Sequence, residues 1–158
     1  MGQQHRYRAE ITWTGDLGTG TDHYRSYRRE HTVRITGKPD LLGSADPTFR
    51  GDPSRHNPEE LLLAALSACH LMSYLHVCAI NGVVVTAYAD NAEGAMETFP
   101  DGSGHFTEVV LHPRVTVRDA AMVTKAMELH HQANTLCFIA NSVNFPVRHA
   151  PVVDVRST

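Results

Sequence analysis

Hydrophobic and polar residues alternate in the first part of the chain, which is the pattern of β-strands that bury one face. The alternation runs over residues 7–13 and again over residues 24–35. Between them, residues 15–20 (GDLGTG) predict a turn. Neither a helix start nor a Lys-Ser/Thr pair follows these glycines, so a turn is favoured over a phosphate-binding loop. We therefore expect two N-terminal strands.

The pattern then becomes irregular, because residues 38–56 contain three prolines and two glycines. A connection of this length is usually functional or flexible. A helix is predicted to follow, since Asn57 is a favourable N-cap and Pro58 suits the first helical position. Apolar residues recur in it at intervals of three and four, and its opposite side is scarcely more polar. The helix should therefore be surrounded by protein and end near Gly82.

The segment after this helix returns to the strand pattern. Residues 83–88 are rich in valine and predict a strand that continues towards Glu97. Residues 100–104 (PDGSG) make a turn, and residues 106–117 alternate again. These features predict a hairpin that follows the first helix.

A second helix is predicted after Asp119, over residues 120–133, because apolar residues recur on one of its faces. Cys137 lies just beyond it, near the start of a further short helix. The chain closes with predicted strands over residues 143–147 and 152–155. Apolar helices combined with antiparallel hairpins predict one α+β domain over residues 1–158, with its helices buried at the centre.

The composition fits one soluble domain, since 158 residues with 42% hydrophobic side chains can bury a core. The net charge of −3, with both signs mixed along the chain, gives no electrostatic reason to expect nucleic acid. This holds although Arg25, Arg28 and Arg29 are close together in sequence. Serines and histidines interrupt the most apolar stretch, so we expect no membrane span.

Three cysteines are too few for a disulfide scaffold, and the first residues lack the pattern of a signal peptide, so we expect a cytoplasmic protein. In the cytoplasm a disulfide is more often catalytic than structural. The best candidates for chemistry are Cys69, within the predicted first helix, and Cys137, which follows 68 residues later in an apolar segment. A fold that brings them together would let them cycle between dithiol and disulfide.

A nucleophilic cysteine must ionise, which needs a positive charge or hydrogen bonds nearby. Cys69 lies in the middle of its helix, so the helix dipole cannot help, and the Glu59 carboxylate alone would oppose ionisation. An arginine could bridge the carboxylate and face the sulfur with its remaining donors. Arg50 and Arg55 lie in the preceding connection, and Arg25 in the N-terminal strands is an alternative.

Other interpretations of these residues stay open. Acidic residues such as Glu59 and Glu60 at a helix start usually serve the helix dipole and the N-terminal cap. A buried cysteine among leucines and alanines is more often an inert apolar side chain, and we assign Cys78 to that role.

Eleven histidines suggest a metal site as a further alternative. The candidate ligands are Cys69, His70, His76, His130, His131 and Cys137. None of them has a tight chelating spacing such as C-x-x-C or H-E-x-x-H. His130 and His131 are neighbours on a predicted helix and point in different directions, so both can hardly bind one ion. We therefore expect no metal or other cofactor.

Two motifs resemble those of a known family. Residues 57–69 (NPEELLLAALSAC) and residues 133–143 (ANTLCFIANSV) are similar to the two cysteine motifs of the OsmC/Ohr family of organic hydroperoxide reductases. The predicted order of elements also agrees with that family over residues 7–155. The resemblance implies an intertwined homodimer, with long helices at its centre and antiparallel β-sheets from both subunits wrapped around them. It also implies two equivalent active sites at the subunit interface.

The resemblance assigns roles to the candidate residues. Cys69 matches the peroxidatic cysteine, Cys137 the resolving cysteine, and Glu59 the carboxylate that orients an essential arginine. Arg50, in the similar Phe-Arg-Gly segment, is the first candidate for that arginine, and Arg25 is the second. The implied activity is reduction of alkyl or lipid hydroperoxides to alcohols through a Cys69 sulfenic acid and a Cys69–Cys137 disulfide. An external dithiol would then reduce the disulfide.

The match to the family is incomplete at two places. Residues 49–51 are not in identical register with the family's arginine segment, and His70 stands where many relatives have an aromatic residue. His70, together with the Cys-Phe-Ile-Ala form of the second motif at residues 137–140, indicates an OsmC-like branch of the family. Two alternatives to a peroxidase therefore stay open, a non-catalytic protein of the same fold that binds small molecules or thiols, and a zinc-binding module.

Overall fold

The computed structural model describes residues 2–157. They form two compact units, one ending at Leu61 and one beginning at Leu62. The long first helix, α1 (Pro58–Ile80), starts in the first unit and continues through the second. Strands and helices are both present, as expected for the predicted α+β class.

The first unit holds a three-stranded antiparallel sheet in the order β1 (Glu10–Trp13), β2 (His31–Arg34) and β3 (Leu41–Gly43). The strand predicted over residues 24–35 forms only as β2, and turns occupy its first part. The third strand was not predicted, because residues 38–56 lack a strand pattern and β3 forms by pairing with β2.

The glycine-rich segment forms a turn, as predicted. The Asp16 carboxylate accepts hydrogen bonds from the backbone N–H groups of Gly18 and Gly20, at 2.8 and 2.9 Å. Both glycines have positive φ angles, 106° and 60°, which a side chain would disfavour. The backbone amides are therefore used by a side chain of the same turn.

α1 begins where the sequence predicts. Asn57 Oδ1 accepts a hydrogen bond from the Glu60 N–H at 2.8 Å, and the Glu60 carboxylate accepts one from the Asn57 N–H at 3.2 Å. This reciprocal pair is a capping box, which satisfies two amides that the helix leaves without partners. At the other end Gly82 has a φ of 72°, and the Val83 N–H donates to the Cys78 carbonyl at 2.9 Å.

The second unit contains six strands among its described residues. They are β4 (Val85–Asp90), β5 (Glu93–Thr98), β6 (Gly104–Leu111), β7 (Pro113–Val117), β8 (Val147–His149) and β9 (Val152–Val155). They form two sheets, in the orders β4-β7-β9 and β5-β6-β8. The predicted hairpin is β5–β6, but β8 and β9 run parallel to their neighbours, so both sheets are mixed.

The alternating segment over residues 106–117 is two strands in two sheets, where the sequence predicts one. The break falls at His112, whose N–H donates to the Asp90 carboxylate at 2.7 Å. Asp90 also accepts a hydrogen bond from the Ser67 hydroxyl of α1 at 2.5 Å. A single carboxylate therefore joins α1 to the point where the chain passes between the sheets.

The second helix, α2 (Val123–Leu136), follows a 3₁₀ turn at Ala120–Met122. The predicted helix start at Asp119 is three residues too early for the α-helix, and the Asp119 side chain pairs with Arg118 without capping the turn. Another 3₁₀ turn, Ala140–Ser142, follows Cys137.

Two apolar clusters form the core of the second unit. The larger joins α1 and α2 to the β4-β7-β9 sheet and includes Tyr74, Val77, Val115, Leu129 and Ala133. The smaller centres on Leu66, Val109 and Leu111. Both α-helices are thus anchored in one packed unit.

α1 is less buried than its composition predicts. Only five of its 23 residues are buried, namely Leu66, His70, Tyr74, Val77 and Cys78. Apolar side chains on other faces are exposed, including Met72 and Ile80 at 60% and 64%. α1 is the one helix among residues 2–157 whose length and composition would suffice to cross a membrane, a test that core helices of soluble proteins also pass.

Candidate active site

Cys69 and Cys137 are in contact in the second unit. The Cys69 thiol is close enough to Cys137 to raise the pKa of its thiol, and both residues are free thiols. Cys137 directly follows α2, where its backbone is extended (φ −72°, ψ 109°) and its N–H donates to the Asn134 carbonyl at 3.2 Å. The fold therefore brings the two cysteines together across the 68 residues that separate them in sequence.

The two sulfurs have different environments. Cys137 is 1% exposed, and burial, with a smaller effect of the neighbouring Cys69 thiol, raises the pKa of its thiol to about 11. The Ala140 N–H donates to Cys137 Sγ at 3.4 Å and opposes part of this rise. Cys69 is partly exposed. At neutral pH Cys137 is thus a protonated thiol, and Cys69 is the sulfur that a reagent from solution can reach.

The third cysteine has the packing role that the sequence predicts. Cys78 is 1% exposed and belongs to the larger apolar cluster. Burial raises the pKa of its thiol, against a smaller opposite effect of the nearby Tyr74 hydroxyl. A thiol that is buried and protonated is a poor nucleophile.

Glu59 lies in the first unit and lines a cavity of about 300 Å³ there, together with Trp13, Tyr27, Arg29 and Phe49. One carboxylate oxygen, Oε2, is buried and has no hydrogen-bond partner among residues 2–157. Leaving a carboxylate oxygen buried without a partner is costly. The cavity therefore offers an acceptor for a cationic or hydrogen-bonding group.

The two predicted arginines lie elsewhere. Arg50 and Arg25 line an adjoining concavity with Asp52, which shares Arg29 with the cavity of Glu59, but neither of the two lines the cavity of Glu59 itself. Arg50 is exposed and has a left-handed backbone (φ 67°), with its N–H donating to the Pro47 carbonyl at 2.9 Å. Neither the first candidate, Arg50, nor the second, Arg25, therefore lines the cavity of Glu59 within this unit.

Arg29 and Arg28 both line the cavity of Glu59, and neither was singled out from the sequence as a site residue. The guanidinium carbon of Arg29 lies 4.3 and 4.2 Å from the ring centroids of Tyr24 and Tyr27. The guanidinium also donates to the carbonyls of the same tyrosines, at 2.9 and 2.6 Å. The sequence did offer one signal for Arg29, because Tyr24 and Tyr27 precede it by five and two residues. Tyrosine rings near an arginine in sequence can form cation–π contacts with its guanidinium.

The histidines considered as metal ligands separate into buried and exposed groups. His70 of α1 and His130 of α2 are buried and hydrogen-bonded to each other, whereas His76 and His131 are exposed. Among residues 2–157, no three His, Cys, Asp or Glu side chains are arranged to hold a metal ion. The buried pair was missed as a pair, because its partners are 60 residues apart.

Comparison with known proteins supports the resemblance. The family model described as OsmC-like protein matches residues 51–150. A solved structure of an OsmC-like protein of unknown function from Vibrio cholerae is 33% identical, with a TM-score of 0.82, and the match covers 94% of this chain and 100% of that one. No curated protein sequence matched the chain.

Two more distant structures carry functional names. An organic hydroperoxide resistance protein OsmC from Legionella pneumophila is 19% identical, with a TM-score of 0.71 and coverage of 98% of this chain and 100% of that one. An organic hydroperoxide resistance protein from Elizabethkingia anophelis is 18% identical, with a TM-score of 0.71 and coverage of 99% and 100%. At these identities the likeness concerns the fold, and it confirms the predicted α+β, OsmC-like architecture.

Proposed function

The chain belongs to the family of OsmC-like proteins, and on that premise we propose that it is a thiol-dependent peroxidase that reduces organic hydroperoxides. The observation that carries the proposal is the contact between the Cys69 and Cys137 side chains, one sulfur partly exposed and the other buried. The names of the Legionella and Elizabethkingia proteins support the class of substrate.

The proposed reaction has three steps. The Cys69 thiolate attacks the distal oxygen of the hydroperoxide, the O–O bond breaks, and the alkoxide leaves and takes a proton to become an alcohol. The resulting Cys69 sulfenic acid condenses with the Cys137 thiol: the S–S bond forms, the S–O bond breaks, and the hydroxide leaves with the thiol proton as water. An external dithiol then restores both thiols by two exchange reactions and is itself oxidised to a disulfide.

The high pKa of Cys137 suits the second role. A thiol with a pKa of about 11 is scarcely ionised at neutral pH and cannot compete with Cys69 for the peroxide. It is nevertheless in contact with Cys69, so it can react as soon as the sulfenic acid forms. Cys78, buried in the apolar cluster, takes no part in this cycle.

For the positive charge, we propose Arg29 ahead of the earlier candidates Arg50 and Arg25. It shares a cavity with Glu59, whose Oε2 is without a partner in the described residues, and it is already partly ordered by Tyr24 and Tyr27. A guanidinium held by Glu59 would keep donors free for a thiolate or a peroxide oxygen.

We also propose that the protein acts as a homodimer. α1 exposes apolar side chains such as Met72, Leu75 and Ile80, and a second copy is the occupant that the family architecture implies. Ten residues of α1 separate Glu59 from Cys69, about 15 Å of helix rise, so the carboxylate is beyond hydrogen-bond reach of the cysteine on its own helix. A dimer would let the carboxylate of one copy serve the cysteines of the other.

Exposed apolar residues also surround the cysteines in sequence. Phe138, next to Cys137, is 79% exposed, and Leu136 is 43% exposed. Each methylene that a substrate buries contributes about 0.8 kcal/mol, which favours alkyl or lipid hydroperoxides over hydrogen peroxide. The cytoplasm, where dithiol reductants keep thiols reduced, is the compartment that this cycle needs.

Steady-state peroxide consumption with a dithiol reductant tests the proposal. Cumene hydroperoxide should be consumed with a higher kcat/KM than hydrogen peroxide, and the Cys69→Ser protein should consume neither. If the wild-type protein consumes no peroxide, the non-catalytic alternative, a protein of this fold that binds small molecules or thiols, takes its place.

A further inference from the structure

A buried pair of histidines joins the two helices that carry the cysteines. His70 Nε2 and His130 Nδ1 are 3.1 Å apart, the ring planes differ by 8°, and the side chains are 1% and 0% exposed. Each ring makes this one hydrogen bond within residues 2–157, because His70 Nδ1 and His130 Nε2 have no partner there. The pair is thus a dedicated link between α1 and α2.

A second link lies one turn away. The Tyr74 hydroxyl of α1 donates to the Ala126 carbonyl of α2 at 3.1 Å, and the Tyr74 ring stacks on His130 with centroids 3.9 Å apart. Tyr74 follows His70 by four residues, and Ala126 precedes His130 by four, so both links use the same face of each helix. Apolar residues of both helices also pack together in the larger cluster, but such contacts are not directional. The two hydrogen bonds therefore fix how α2 is set against α1.

The cysteines lie next to this link in sequence. Cys69 immediately precedes His70, and Cys137 follows His130 by seven residues, or about two turns. The hydrogen bond between the histidines and the contact between the cysteines thus join the same two segments of chain. A small rotation or shift of α2 would separate the sulfurs.

The link needs one nitrogen that donates and one that accepts, so at least one ring of the pair must be neutral. Burial, with a smaller effect of His149, lowers the pKa of His70 to about 4, while Asp90 opposes part of this shift. Burial, with smaller effects of His70 and His149, lowers the pKa of His130 to about 3. Both rings are therefore neutral at pH 7, and one nitrogen of the pair donates to the other. His149 of β8 lies beside both rings, with centroids 5.6 and 6.1 Å away.

We propose that His70 and His130 are positioning residues for disulfide formation: their hydrogen bond holds Cys137 Sγ against Cys69 so that the sulfenic acid is resolved. The role rests on the proposed peroxidase function, of which it concerns the second step. It does not require either imidazole to touch the peroxide or the sulfurs.

The test uses substitutions that remove or keep the bonding atom. His130→Leu removes it, whereas His130→Asn places an amide atom near the position of Nδ1. After one equivalent of cumene hydroperoxide, mass spectrometry follows the dimedone-trapped sulfenic acid at Cys69 and the Cys69–Cys137 disulfide over time. We expect His130→Leu to slow disulfide formation by about tenfold or more with little change in sulfenic acid formation, because small displacements of reacting groups have such effects. His130→Asn should restore most of the rate, and the exposed neighbour control, His131→Leu, should leave it unchanged.

An equilibrium measurement separates this role from the peroxidase function. In a dithiothreitol redox buffer, the fraction of Cys69–Cys137 disulfide reports the contact without any peroxide. We expect it to fall in His130→Leu and to recover in His130→Asn, even if the wild-type protein forms no sulfenic acid. Should His130→Leu fail to fold, the His70→Gln/His130→Asn double variant, with an amide at each bonding position, must keep the wild-type equilibrium. Three results would overturn the proposal. The first is a folded His130→Leu protein with the wild-type rate and the wild-type disulfide fraction. The others are an equal decrease of these values in His130→Leu and His130→Asn, and a decrease of the disulfide fraction in the double variant.

Discussion

The Cys69 and Cys137 side chains lie close enough for the two thiols to interact, although one lies within α1 and the other follows α2. Burial raises the pKa of Cys137 to about 11, and Cys69 is partly exposed. The arrangement separates an accessible sulfur from a protected one before any reagent arrives. In the proposed cycle, the accessible sulfur reacts with peroxide and the protected one forms the disulfide.

Substitution of each cysteine should give a different result. Cys69→Ser should abolish turnover and sulfenic acid trapping, because no other thiol is both accessible and in contact with a partner. Cys137→Ser should react once with cumene hydroperoxide and then stall as the sulfenic acid. Cys78→Ser should keep the full cycle, apart from a loss of stability from a hydroxyl in the apolar cluster. Dimedone labelling with peptide mapping distinguishes these outcomes, and full activity of Cys69→Ser would disprove the assignment.

Removal of the arginine should slow reactions of Cys69. In a background with Cys78 and Cys137 replaced by serine, Arg29→Ala should lower the rate of iodoacetamide alkylation at pH 7 by about tenfold, because the thiolate loses its cation. Arg25→Ala and Arg50→Ala are matched controls from the neighbouring concavity and should have little effect. A change in the pH profile with Arg50→Ala alone would restore that residue as the essential arginine.

Acid should destabilise the protein through the histidine pair. The folded-state pKa values of His70 and His130 are about 4 and about 3, below the ordinary value of 6.5, so the unfolded chain binds more protons at mildly acidic pH. The free energy of unfolding should therefore be highest above pH 6.5 and decrease as the pH falls towards 4. The lowered pKa of His70 alone should decrease the free energy of unfolding by roughly 3 kcal/mol over this pH range.

Urea unfolding followed by circular dichroism between pH 7.5 and 4 measures this effect. The His70→Gln/His130→Asn variant has amides that do not titrate, so its stability should depend less on pH in this range. If the free energy of unfolding of that variant decreases equally steeply as the pH falls, other groups cause the acid sensitivity.

Dimer formation should depend on the exposed face of α1. The midpoint of thermal unfolding should rise with protein concentration, because association stabilises only the folded chain. Met72→Glu, which places a charge on the 60% exposed side chain, should produce monomers in sedimentation experiments. The control Arg148→Glu changes an exposed side chain of β8 and should leave association intact. A wild-type protein that stays monomeric at micromolar concentration contradicts the dimer.

The N-terminal cap of α1 should have a measurable but modest role in stability. Asn57→Ala removes the acceptor for the Glu60 N–H and should lower the free energy of unfolding by about 1 kcal/mol. Asn57→Asp keeps an acceptor at that position and should retain most of the stability. Chemical denaturation of the two variants at pH 7 makes the comparison.

Local signals in the sequence were sufficient for α1, the glycine turn and the β5–β6 hairpin. Asn57 and Glu60 lie three residues apart, so their capping box can be predicted from spacing alone. Features that depend on distant residues could not be predicted in this way. β3 forms only by pairing with β2, and the parallel neighbours of β8 and β9 follow from the path of the whole chain.

In the candidate site, too, some residues could be predicted from local sequence and others depend on distant parts of the chain. Cys69 and Cys137 could be singled out because two motifs carry them, and the fold brings them into contact. Arg29 was missed because three arginines within residues 25–29 are equivalent by composition, and only the stacking on Tyr24 and Tyr27 distinguishes it. The bond between His70 and His130 requires α1 and α2 to be packed before it can be recognised.

A single turnover of the reduced wild-type protein tests the proposed cysteine cycle most directly. One equivalent of cumene hydroperoxide is added without reductant, remaining thiols are alkylated, and peptides are mapped under non-reducing conditions. We expect loss of two thiols per chain and one disulfide, between Cys69 and Cys137, with Cys78 alkylated. Retention of all three thiols, or a disulfide that uses Cys78, would contradict it.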